Sequence, residues 1–152
     1  MLKILRQLEQ QPITLGALKK ALPHTAKVML YDHLPERGTL EAVFGKKDCI
    51  VLLYQLHSES GRTREGTGHY STIIRLGKGK YEFFSSYGMK PEEEIAKTHS
   101  SGKLVRLLGK DYVRSSARLQ TRGFHTNTCG RFAAARCLLK NVPLQVFVKH
   151  FS

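Results

Sequence analysis

Acidic residues are scarce in this chain. Twelve Asp and Glu stand against 25 Lys and Arg, a formal net charge of +13 over 152 residues. So unbalanced a surface attracts polyanions, through a term that salt screens and base sequence does not alter. Cysteine is scarce too. Three residues, odd in number and widely spaced, argue against a disulfide framework and for a reducing compartment. Long apolar runs are missing. Cys49-Ile50-Val51-Leu52-Leu53-Tyr54 is among the longest, far short of the roughly 20 residues of a membrane span. The opening Met1-Leu2-Lys3-Ile4-Leu5-Arg6 is charged but leads into no apolar stretch, so no signal peptide is expected. Internal repeats and low-complexity tracts are also lacking, and the length predicts a single domain over residues 1–152.

What is present alternates between helical and strand patterns. Leu2, Leu5 and Leu8 predict a short amphipathic helix, and Thr14 to Leu22 a second, with Pro23 just past its end. Val28 to Tyr31 reads as a short strand. Thr39 to Phe44 reads as a capped helical turn ending at Gly45. Cys49–Leu56 and Tyr70–Leu76 are rich in branched and aromatic residues and predict buried strands, joined by a polar loop over 58–68. Gly77-Lys78-Gly79-Lys80 turns into a third strand, Tyr81–Ser85.

Pro91 followed by three glutamates is a helix start. Leu104, Leu107 and Leu108 resume an apolar face after Gly102. Tyr112–Gln120 alternates, predicting a fourth strand with Arg114 and Arg118 on a basic outer face. Cys129–Leu139 predicts a helix, and the apolar stretch Val142–Val148 closes the chain. The expected class is α+β: a central mixed β-sheet flanked by helices.

Two residues carry the strongest chemical signal. His69 opens an apolar strand in Gly68-His69-Tyr70-Ser71-Thr72-Ile73-Ile74. Cys129 starts a helix in Asn127-Thr128-Cys129-Gly130-Arg131-Phe132-Ala133. A thiol in the first turn of a helix meets the positive end of the macrodipole, which favours the thiolate. A histidine beside it can take the proton and later give it to a leaving amine.

Three segments together resemble the adenovirus-type maturation cysteine peptidases and their relatives in virophages, Polinton-type elements and large DNA viruses, which share a clan with the ubiquitin-like-protein proteases. They are Ile50–Tyr54 leading to Gly68-His69-Tyr70, Tyr81-Glu82-Phe83-Phe84-Ser85-Ser86-Tyr87-Gly88, and Leu119-Gln120 followed by Asn127-Thr128-Cys129-Gly130-Arg131-Phe132. The resemblance implies a cysteine-peptidase fold with the nucleophile at the N-terminus of a buried helix. It implies Cys129 as nucleophile, His69 as general base and acid, and Gln120 as oxyanion donor beside the Cys129 backbone N–H. Ser85 falls where the family carries an acid. A serine cannot stabilise an imidazolium with a full charge, so a Cys–His dyad, recruitment of a nearby acid such as Glu82, and a weakened enzyme all stand as readings. Strand alternation turns Glu82 away from Ser85.

The implied activity is endoproteolysis of virion or capsid precursor proteins by a monomer, in the virion and in the host cytoplasm or viral factory, with small residues before the cut. No essential cofactor or metal is expected; a zinc site from His125, Cys129 and Cys137 lacks the usual ligand spacing. DNA is a candidate activator, held by Lys110, Arg114, Arg118 and Arg122. Two other readings are a ubiquitin-like-protein protease or deubiquitinase, and a basic DNA-binding protein on a degenerate peptidase fold.

Overall fold

The computed structural model describes residues 15–57, 63–119 and 126–151. The helix expected over Leu2–Leu8 lies outside them. The elements run α1 (Leu15–Ala21), β1 (Ala26–Leu30), a 3-10 turn (Tyr31–His33), α2 (Leu40–Phe44), β2 (Cys49–His57), β3 (Thr63–Gly77), β4 (Lys80–Phe84), α3 (Pro91–Thr98), α4 (Lys103–Leu108), β5 (Tyr112–Arg114), α5 (Thr126–Leu138) and α6 (Leu144–Phe151). The fold is α+β, with a five-stranded sheet in the order β1-β2-β3-β4-β5.

The sheet is mixed for a local reason. Strands that follow one another after few residues, β2 to β3 and β3 to β4, pair antiparallel. The longer connections carrying α2, and then α3 and α4, bring β1 beside β2 and β5 beside β4 in parallel.

Period-two alternation sorts the strand side chains into two cores. One face carries Cys49, Val51, Tyr70, Ile74 and Phe84 against Leu18 of α1, the alanines of α5, and Leu144 and Phe147 of α6. The other carries Ile50, Leu52, Tyr54, Ile73 and Phe83 against Leu40 and Phe44 of α2 and Leu104, Leu107 and Leu108 of α4.

Local chemistry sets the element ends. Thr39 caps α2 by accepting the Ala42 N–H at 3.3 Å. Pro91 opens α3, where Glu93 accepts the Lys90 N–H at 3.2 Å.

Several expectations change. The 58–68 loop is shorter, because Thr63–Gly68 belongs to β3, with Gly68 paired to Gln55 and Thr63 to His57 across a break in register. The fourth strand is three residues long rather than nine, and residues 115–119 continue without sheet pairing. Its face is also inverted. Val113 is 51% exposed, whereas Arg114 is half-buried and donates to the Gly88 carbonyl at 3.5 Å. An edge strand this short takes its orientation from the turn beside it, not from its own alternation. The closing apolar stretch is α6, whose Leu144, Phe147 and Val148 are buried. Cys49 and Cys137 form a disulfide across 88 residues of sequence, where none is expected. Their apolar neighbours in sequence account for their burial; their spacing gives no sign of the bond.

Candidate active site

Three ties hold α5 in register on the sheet. Thr72 of β3 donates its hydroxyl to the Ala133 carbonyl at 2.9 Å. Cys137 is bonded to Cys49, which pairs with Ile74. Arg136 donates Nε and Nη2 to the two carboxylate oxygens of Glu82, at 2.7 and 2.9 Å, and Glu82 also pairs with Ile74. Between Thr72 and Ile74 the strand advances about 6.6 Å. Between Ala133 and Cys137 the helix advances about 6 Å. Helix and strand therefore run the same way, in step. One turn earlier on α5 is Cys129, whose backbone comes level with Tyr70, the neighbour of His69.

α5 begins at Thr126, three residues before the expected start. Cys129 is its fourth residue and still lies in the first turn, near the positive end of the helix dipole.

His69 is fully buried. Its Nε2 lies 2.5 Å from Oε1 of Glu94, also fully buried, on α3. Two aromatic rings hold the imidazole. Tyr54, its partner across β2–β3, packs at 5.4 Å between centroids, and Tyr87 at 5.5 Å. Tyr54 accepts a hydrogen bond from Ser71 at 3.1 Å. Its phenol is pushed well above the ordinary tyrosine range, first by burial and then by the charge of Glu94.

Alternation puts His69 on the face opposite α5, with Ser71 and Ile73. The two faces meet at this end of the sheet because β4 stops there: its last pair is Phe84 with Thr72. Past that point the chain turns through Ser85–Gly88, and Tyr87 both touches His69 and belongs to the core beneath α5.

The sequence-derived site residues distribute as follows. His69 is positioned by β3 and Cys129 by α5. Gln120 lies outside the described residues, but Leu119 donates its N–H to the Ser86 carbonyl at 2.8 Å, which brings the chain just before it to the Ser85–Gly88 turn. Ser85 is buried on that turn. Its hydroxyl accepts the Tyr87 N–H at 3.3 Å and its carbonyl accepts the Gly88 N–H at 3.0 Å. Glu82 is committed to Arg136 on the α5 side.

Sequence reasoning does not pick out Glu94 as the partner of His69. Three glutamates at a helix start have a sufficient local reason in the macrodipole. The one available signal is its spacing, since Pro91, Glu94 and Thr98 form the buried stripe of α3, and a carboxylate on a buried stripe needs a partner.

Lys110 and Arg118 are exposed, and Arg122 lies outside the described residues. Among the described residues no group of three His, Cys, Asp or Glu could hold a metal. Cys137 is spent in the disulfide, which removes one ligand from the zinc reading. No helix among them is long and apolar enough to cross a membrane.

No protein-family model matches the chain. It is similar to a virophage protein: the uncharacterized protein V9 of Sputnik virophage is 25% identical over 162 residues, an alignment covering 98% of this chain and 88% of that one.

Proposed function

We propose that this protein is a cysteine endopeptidase of the viral maturation type, with Cys129 as nucleophile and His69 as general base and acid. The observation that carries the reading is the register of α5, which brings the first turn of the helix, with Cys129, to the end of the sheet where His69 sits. Similarity to a virophage protein along nearly the whole chain supports a viral setting, with virion precursor proteins as the substrates.

The chemistry follows from the two groups. The Cys129 proton passes to the imidazole as Sγ attacks the scissile carbonyl carbon. The carbonyl π electrons move to oxygen, which the Cys129 backbone N–H and the Gln120 amide would stabilise. Collapse breaks the C–N bond, and the imidazolium gives its proton to the departing amine. Water, deprotonated by the same imidazole, then hydrolyses the thioester and restores the thiol. Gly130 next to the nucleophile would crowd a substrate backbone less than any other residue, in keeping with small residues before the cut. The +13 charge supports DNA as a partner that concentrates enzyme and substrate within a packed particle.

The test is cleavage of a fluorogenic peptide library biased to small residues, with and without DNA, with virion precursors and ubiquitin-like proteins in the same panel. Turnover in the wild type that vanishes in Cys129→Ala is the expected result. Turnover that survives in the variant, or none under any condition beside tight salt-sensitive DNA binding, would overturn it.

A further inference from the structure

We propose that Glu94, carried by α3, is the positioning acid of His69, in place of a residue at the Ser85 position. This rests on the peptidase reading above.

The first ground is geometry. Oε1 of Glu94 is the acceptor within 2.5 Å of Nε2, and both side chains are excluded from solvent. Hydrogen bonds in which a partner is charged are stronger than those between neutral groups. A carboxylate accepting from Nε2–H fixes the tautomer and assigns thiol proton transfer to Nδ1. It also stabilises the imidazolium once that proton arrives. Ser85 does neither. Its hydroxyl and carbonyl both serve the turn that carries Tyr87.

The second ground is how firmly both partners are held. The imidazole packs against Tyr54 and Tyr87. Glu94 is anchored through its helix, since its carbonyl accepts the Thr98 hydroxyl at 2.7 Å and Pro91 and Thr98 are buried on the same stripe. Tyr54, kept protonated by burial and by the Glu94 charge, cannot compete as an anion for the proton on Nε2. The acid beside His69 thus comes from a helix, 25 residues after the histidine, and not from the turn that follows β4.

The experiment uses the full chain with its disulfide intact, so that Cys129 is the one cysteine left for alkylation. Iodoacetamide alkylation is followed against pH in wild type, Glu94→Gln and Glu94→Asp, with urea unfolding to confirm each fold. An ordinary thiol titrates near 8.5. The wild type should react well below that, and Glu94→Gln should move the profile back toward it. The same change should lower kcat by roughly 10²-fold or more with little change in KM. Glu94→Asp should restore part of both. Should Glu94→Gln fail to fold, the downfield Nε2–H resonance of His69 in wild type and Cys129→Ala decides: its presence supports the pairing, and its absence overturns it. A folded Glu94→Gln with unaltered profile and kcat sinks the proposal and leaves the peptidase standing. A wild type that titrates as an ordinary thiol and turns over nothing sinks the peptidase reading itself.

Discussion

Arg136 of α5 grips both carboxylate oxygens of Glu82 on β4, and each side chain is nearly inaccessible to solvent. The guanidinium also donates to the Leu139 and Val142 carbonyls, at 3.1 and 2.8 Å, and lies over the Phe147 ring. One arginine thus joins α5, the sheet and the entry to α6. Removing it alone leaves a buried carboxylate with no counter-charge. Arg136→Met should cost about 3–5 kcal/mol in urea unfolding. The double change Glu82→Leu with Arg136→Met should recover most of that, since volume is kept and no charge is stranded. A double variant no better than the single one would show that the bonds to the 139–142 turn matter more than the ion pair.

Gly88 has no room for a side chain. Its φ is +67°, and a Cβ there would meet the Ser116 carbonyl oxygen at 2.4 Å and that of Ala117 at 2.8 Å. Gly88→Ala should destabilise by about 1–3 kcal/mol from the backbone conformation alone. It should also push residues 115–119 off the Ser85–Gly88 turn. If Gln120 stabilises the oxyanion, kcat should fall further than stability predicts. Full activity in a folded Gly88→Ala would argue against that coupling.

Glu41 sets an acid limit on the fold. Its carboxylate accepts from the Gly79 N–H, the Tyr81 hydroxyl and Arg75. These bonds, the Gly79 N–H first, hold its pKa down at about 2 against an ordinary 4.5. A depressed carboxylate adds stability that is fully present above its unfolded pKa and lost as pH falls through the folded one. The contribution should disappear between about pH 4.5 and 2. In Glu41→Gln, chemical unfolding across that window should show a shallower fall. An unchanged slope would mean that water replaces these bonds without cost.

DNA binding should divide the basic residues by exposure. Lys110→Glu with Arg118→Glu should weaken binding and lower the salt slope by about one for each phosphate no longer neutralised. Arg114, half-buried and donating to the Gly88 carbonyl, should matter less to DNA and more to the turn. The measurement is a salt titration of a short duplex. Equal effects from all three would place Arg114 on the binding surface after all.

Much of the scaffold can be read from the chain because its signals are local. Thr39 and Gly45 bracket α2, Pro91 opens α3, and branched runs mark β2 and β3. The failures share one cause, dependence on distant partners. Thr63–Gly68 looks like a loop by composition, yet becomes strand because β2 offers backbone partners to its two ends. Ser115–Leu119 alternates like a strand but lies against the Ser85–Gly88 turn and joins no sheet ladder among the described residues. α6 carries a helical repeat, Leu144, Phe147, Val148 and Phe151, that the apolar residues just before it obscure. At the site, His69 and Cys129 stand out by their surroundings in sequence. Glu94 does not, because its partner lies 25 residues away on another element, and its own neighbours already explain a glutamate there.

The parallel joining of the outer strands has a kinetic consequence. The β2–β3–β4 meander closes over short stretches of chain, whereas β5 can dock only after α3 and α4 have folded across the sheet. Glu94 travels on that crossover. If that crossover came loose, the His69–Glu94 pair would part while β3 kept its neighbours β2 and β4. On the proposed peptidase reading, loss of activity would then precede loss of the sheet.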